Sequence, residues 1–205
     1  MAVAPTRYPP ATATAVTDLV YSQPLAWIVS DGGRQTTPLP LRPEPGADGQ
    51  VAALIGHFAR RNPQVEALKA DPRAQVLFTG PHAYISPSWL TDRTQAPSWN
   101  YASAAFEVEV EFSEDEAFTR AVMTDLIGAM EAGRDKAWRL EDMGERYDRI
   151  LRGIVAFRAT VIETRPAFKL GQDERDDVYT EILAGLEADG DGEVAALMRV
   201  HNPGR

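Results

Sequence analysis

Phe106-Glu-Val-Glu-Val-Glu-Phe112 alternates without a fault between apolar and acidic residues. At a strand's period of two, Phe106, Val108, Val110 and Phe112 fall on one face and Glu107, Glu109 and Glu111 on the other. That pattern is a half-buried strand of an antiparallel sheet, one face on a core and one in water. Carboxylates spaced this way form a solvated face and do not converge on a cation.

Downstream, Ser113-Glu-Asp-Glu116 reads as a capping box opening a helix to about Met130, with Phe118, Val122, Leu126 and Met130 in its apolar stripe. A second helix is expected over Asp142–Arg152, then a long strand over Ile154–Thr164. Helices follow over Asp173–Glu187 and Gly192–Val200, with Asp189-Gly-Asp-Gly-Glu193 as a plain turn between them.

Upstream, Leu25–Ser30 and Arg34–Leu41 flank Asp31-Gly32-Gly33, a hairpin signal, and Pro38 and Pro40 demote the second segment to an edge strand. Pro43–Gly49 reads as a polar turn and Val51–Phe58 as a buried strand. Asn62-Pro63 starts a short helix through Lys69, Asp71-Pro72 ends it, and Gln75–Thr79 is a strand leading into an aromatic loop. Strands, helices, a strand and helices in this order give an α+β class around a mainly antiparallel sheet, closed as a barrel.

The 205 residues fit an N-terminal arm over 1–20 and one domain over 21–205 with C-terminal helices. A net charge of −9 and a pI near 4.9 disfavour a surface built to neutralise phosphates, so direct nucleic-acid binding is not expected. The absence of cysteine removes disulfides, thiolate nucleophiles and thiolate metal sites, and agrees with a cytoplasmic location. No apolar run is long enough to span a membrane, and Met1–Thr17 lacks the pattern of a signal peptide.

Walker and Rossmann glycine loops and a Gly-x-Ser-x-Gly elbow are missing. His57, His82 and His201 lie far apart in sequence, which gives no metal motif. Three segments carry more chemistry. Gly56-His-Phe-Ala-Arg-Arg-Asn-Pro63 sets a histidine, two arginines and an asparagine where a strand meets a helix N-terminus, a place that favours anions. Its plainer reading is two surface charges and a helix cap. Gly80-Pro-His-Ala-Tyr-Ile-Ser-Pro-Ser-Trp-Leu90 and Pro97-Ser-Trp-Asn-Tyr101 combine aromatic rings with hydroxyl and amide groups on stiff backbone. Such a surface suits a planar polar ligand, and it equally suits core packing. In Phe168-Lys-Leu-Gly-Gln172 a surface lysine is the default reading.

Taken together, and in this order, these blocks resemble the PaiB family, the FMN-binding negative transcriptional regulators of bacteria. The resemblance spans roughly residues 20 to 190. It implies an FMN-binding split β-barrel with peripheral helices, related to pyridoxamine-phosphate oxidase. It also implies a homodimer with each flavin at the subunit interface. Carried over by position, His57, Arg60, Arg61 and Asn62 are expected near the flavin phosphate, and Tyr84 and Ser86 along its phosphate and ribityl side. Trp99 and Asn100 are expected at the ring or the dimer seam, with Lys169 and Gln172 approaching from the partner subunit. The chain departs from the family pattern at Pro38, Ala105, Gly171 and Asp173, where members commonly carry His, His, Ser and Asn.

The resemblance implies a regulatory, transcription-related and flavin-gated role, exerted through a protein partner in view of the acidic charge. Two alternatives stand beside it. One is a flavin-dependent oxidoreductase of small molecules, with His82 as the candidate acid or base and no catalytic residue otherwise identifiable. The other is a family member that keeps the barrel without tightly bound flavin.

Overall fold

The computed structural model describes residues 7–205, so residues 1–6 of the expected arm lie outside the described residues. The elements are α1 (Ala15–Ser22), β1 (Leu25–Ser30), β2 (Gln35–Pro40), β3 (Arg42–Pro45), β4 (Val51–Ala59), α2 (Pro63–Ala70), β5 (Arg73–Ile85) and β6 (Ser98–Ser113). They continue with α3 (Glu116–Glu131), α4 (Arg146–Leu151), β7 (Ile154–Lys169), α5 (Asp176–Asp189) and α6 (Gly192–His201). The strands form one antiparallel sheet in the order β2-β1-β5-β6-β7-β4-β3. The α+β class expected from the sequence is therefore the one observed.

By contacts the chain divides into two compact units, and β5, β6 and β7 each run through both. One unit holds residues up to Gln23, Phe78–Ala105 and Arg165–Arg205, and the other holds Pro24–Leu77 and Phe106–Thr164.

In the second unit, β4 and β7 pair antiparallel with Leu54 opposite Ala159, Gly56 opposite Phe157 and Phe58 opposite Val155. All of these residues are buried, as the strand alternation requires. The Phe58 and Phe157 rings lie 5.2 Å apart, and Phe112 meets them at 6.0 and 6.1 Å. Gly56 makes room for this cluster: a Cβ there would stand 2.5 Å from Leu41 Cδ2 and 3.0 Å from Phe157 Cζ.

Gln64, on the first turn of α2, is fully buried. Its amide donates to the Ile28 carbonyl at 3.1 Å and the Ser30 hydroxyl at 3.0 Å, with the Gln35 carbonyl at 3.3 Å. A buried amide that bridges three acceptors ties α2 to the β1–β2 hairpin. Gln64→Leu should therefore destabilise the protein by roughly 2 kcal/mol, because the acceptors stay buried without a donor. Urea unfolding, with an unchanged slope and a lower midpoint, would register it.

In the first unit, Ala83 and Ile85 of β5, Asn100, Ala102 and Ala104 of β6, and Phe168 of β7 are buried. Val178, Tyr179, Ile182 and Leu186 of α5 and Val194, Ala195 and Met198 of α6 are buried in the same unit. Gly185 is required on α5, since a Cβ there would overlap the Trp89 ring. Thr91 fastens the same loop, with its backbone N–H at 2.8 Å and its hydroxyl at 2.5 Å from the Glu181 carboxylate.

Several boundaries differ from the sequence expectation. The aromatic segment read as a loop begins as strand, because β5 continues through Gly80 to Ile85. Here Ala83 and Ile85 bury while His82 and Tyr84 do not. Similarly, β6 starts at Ser98 rather than Phe106. Part of the expected turn at Pro43–Gly49 is β3. The capping box at Ser113 does not form: Asp115 is the cap, accepting from the Ala117 N–H at 2.9 Å, and Ser113 accepts instead from the Asp115 N–H at 3.2 Å. The helix expected at Asp142–Arg152 is a 3-10 turn at Leu140–Met143 followed by the shorter α4. Finally, α1 crosses residue 20, so no structural break separates the arm from the domain after it.

Candidate functional site

The candidate residues fall into two sets, one in each unit. In the first unit, strand alternation turns His82, Tyr84 and Trp99 away from the buried positions Ala83, Ile85 and Asn100. The Tyr84 and Trp99 rings meet edge-on at 5.8 Å and 63°, and the His82 ring lies 6.3 Å from Trp99. Trp99 is 53% exposed and Tyr84 45%, values a core aromatic does not show. His82 Nδ1 lies 2.9 Å from its own strand's Gly80 carbonyl, so Nδ1–H donates and Nε2 presents a lone pair. The three rings make an open aromatic surface with one hydrogen-bonding imidazole.

The other residues named in this unit have internal partners. Ser86 accepts from the Ser88 N–H at 3.2 Å and shares a hydroxyl contact with Ser88 at 2.7 Å, forming a local turn. Asn100 is 3% exposed and donates to Met198 Sδ at 3.3 Å. Gln172 accepts from the Leu170 N–H at 2.7 Å and donates to the Phe168 carbonyl, folding the segment back on itself. Lys169 donates to the Ser98 hydroxyl. Ser98 and Trp99 are successive strand residues, so Lys169 is anchored on the side of β6 opposite the Trp99 ring.

In the second unit, Asn62 caps α2, accepting from the Gln64 N–H at 2.9 Å and donating to Thr37 Oγ1 at 3.1 Å. Arg60 pairs with Glu114 at 2.8 Å. Arg61 is exposed and makes no ion pair among the described residues. His57, opposite Ala156 on β4, has a buried Nδ1 with no partner, and burial lowers its pKa so that the imidazole stays neutral. Asn62→Ala should lower stability by about 1 kcal/mol through the lost cap. A parallel flavin titration separates that effect from a phosphate contact, which would weaken binding as well.

The departures have structural counterparts. Pro38 lies on β2 opposite Trp27. Ala105 lies within β6. Gly171 takes a positive φ of 75°, which serine adopts rarely, and Asp173 pairs with Arg7 at 3.2 Å. The sequence reading did not anticipate the apolar stripe on β1. Leu25 is 63% and Trp27 52% exposed there, with Pro40, Pro38 and Leu77 as their cross-strand neighbours. The alternation of Ala26, Ile28 and Ser30 with these residues was the signal that could have revealed it.

An α+β antiparallel split barrel with an exposed aromatic surface defines the class of flavin-binding split-barrel proteins. The chain belongs to the PaiB-type FMN-binding domain family, whose profile, described as "Putative FMN-binding domain", matches residues 3–163. It is 30% identical over 135 residues to "Protease synthase and sporulation protein PAI 2" of Bacillus subtilis, a match covering 65% of this chain and 64% of that protein's length. Among solved structures it resembles the flavocytochrome Anf3 of Azotobacter vinelandii, with a TM-score of 0.61 and 14% identity over 83% of this chain and 73% of that one. It also resembles an FAD and heme binding protein of Mycobacterium smegmatis, with a TM-score of 0.57 and 20% identity over 85% and 78% of the two chains. These last two likenesses speak to the fold. The family's cofactor is FMN. The chemistry of the first unit's exposed set fits it: planar rings with a hydrogen-bonding imidazole beside them.

Proposed function

We propose that this chain acts as a homodimeric, cytoplasmic, FMN-binding regulator of the PaiB type, in which flavin occupancy or redox state biases binding of a protein partner. The observation that carries the flavin part is the exposed Tyr84–Trp99 pair with His82 beside it. When bound, FMN supplies reversible electron transfer. The chain's own residues hold and orient it. Tyr84 and Trp99 offer the stacking surface, and His82 Nε2 accepts a hydrogen bond. Arg61, which makes no ion pair among the described residues, is the cation that the family resemblance assigns to the phosphate. Asn62, Asn100 and Gln172 serve mainly as structural ties in this reading, since their side chains are already engaged.

The apolar β1 stripe supports self-association, because large exposed apolar patches mark interaction surfaces. The regulatory part draws on the name of the Bacillus relative and on the net charge of −9, which favours a protein partner over an operator. Among the described residues, no helix is long and apolar enough to cross a membrane.

Titration with FMN and with riboflavin tests the cofactor assignment. Binding of FMN with flavin absorbance bands supports it, and loss of the FMN-over-riboflavin preference in Arg61→Ala supports the phosphate role. A protein that takes up neither would favour the alternative in which the barrel lacks tightly bound flavin, motivated by Pro38, Ala105, Gly171 and Asp173. An electrophoretic shift series across salt tests the partner class: tight, sequence-selective DNA binding would refute regulation through protein alone. The lone pair on His82 beside Trp99 supports a second reading, a flavin-dependent oxidoreductase. Rapid flavin bleaching on anaerobic mixing with NADH or NADPH would select it.

A further inference from the structure

A cavity of about 220 Å³ opens in the first unit beside α1. Ala15 and Leu19 of α1, Ala102 of β6, Phe168 of β7 and Leu197 and Val200 of α6 give it an apolar lining. Asp18, Ser22 and Thr12 add polar atoms, with the Asp18 carboxylate already accepting from Thr14 Oγ1 at 2.9 Å. Gly80 helps to seat α1, since a Cβ there would overlap Leu19 Cδ1.

His201 belongs to the same lining and is 7% exposed. Its ring stacks on Phe168 at 4.9 Å and 18°. Its Nδ1 lies 3.1 Å from the Leu197 carbonyl, so Nδ1–H donates and the tautomer is set. Nε2 is then a lone-pair acceptor, buried and without a partner. A buried acceptor in apolar surroundings is costly, and native structures rarely leave one unpaired without a reason. Apolar cavities near this size hold single-ring molecules.

We propose that this cavity binds a small single-ring or branched hydrophobic molecule carrying one hydroxyl group, which donates to His201 Nε2. The apolar walls supply affinity and the imidazole supplies selection. An analogue lacking the hydroxyl fills the same walls and leaves Nε2 unpaired. Because Nε2 has no surface open to solvent, the donor reaches it with a displacement of the imidazole or of its cover, and the His201 ring signals report that displacement.

Phenol and toluene, matched in shape and differing in the hydroxyl, are the probes. They are titrated into the full-length, isotope-labelled protein while the ring resonances of its three histidines are followed. Phenol should perturb His201 selectively and bind at least ten-fold tighter than toluene. His201→Phe should abolish the preference and retain toluene binding. Val200→Trp, at a lining position that is 57% exposed, should block both probes without altering the melting temperature. The proposal fails if neither probe moves the His201 signals up to its solubility limit, if the preference survives in His201→Phe, or if Val200→Trp leaves both affinities intact.

Discussion

A Trp99→Ala variant should bind FMN about ten- to a hundred-fold more weakly than the parent while unfolding at nearly the same temperature. Stacking of a planar ring on an aromatic side chain is worth about 1–3 kcal/mol by alanine substitution, and each 1.4 kcal/mol is a factor of about ten. The split between affinity and stability follows from exposure. Trp99 is 53% exposed, and its ring contacts are with Tyr84 and His82, which are exposed too. Removing it therefore leaves no cavity in the core. Trp99→Phe, which keeps a stacking face, should recover most of the affinity. If Trp99→Ala binds FMN as tightly as the parent, the ring does not stack here. Fluorescence titration with FMN, paired with a thermal melt, decides between these outcomes.

The largest effect on stability is expected at Phe157. This residue has no exposed surface and sits among Phe58, Phe112 and the space left by Gly56. Phe157→Ala should cost about 3–5 kcal/mol, the sum of lost transfer energy and an unfilled cavity. In a domain of this size that lowers the melting temperature by roughly 10 °C or more. The geometry also predicts coupling. Gly56→Ala alone forces its new methyl against Leu41 and Phe157 and should be destabilising, as overpacking is. In the Phe157→Ala background part of that pressure is gone, so the two costs should sum to more than the double variant shows. Strict additivity would mean that Leu41 alone resists the methyl.

The class of fold was legible because it depends on periodicity. The alternation from Phe106 to Phe112 is the C-terminal half of β6, and Ile154–Thr164 is most of β7. What escaped were stretches where proline or polar residues masked an extended backbone: Arg42–Pro45, and Gly80–Ile85 with Pro81 inside it. Proline there reads as turn or loop, yet the extended backbone continues through it. At Ser113 the capping-box pattern points to the serine, and the structure caps α3 with Asp115 instead.

At the candidate site, composition says which chemistry is present and not what each side chain already touches. Clusters of His, Arg and Asn, and of Trp and Tyr, point to a ligand whether or not each side chain reaches it. Asn62 and Gln172 turn out to be tied to nearby backbone. Such ties depend on local φ and ψ, which composition does not encode. The face of β6 on which Lys169 is anchored follows from its partner, Ser98, far away in sequence.

The two outermost strands of the sheet each carry a pair of prolines two residues apart, Pro38 and Pro40 on β2, Pro43 and Pro45 on β3. Along a strand, backbone donors two apart point the same way, so each pair removes neighbouring donors from one side. On β2 the residues between them keep the ladder with β1, which leaves the deficit on the outward rim. A further strand arriving there would meet carbonyls with no matching N–H groups. The rim is thus a poor template for fibril growth by edge-to-edge strand addition.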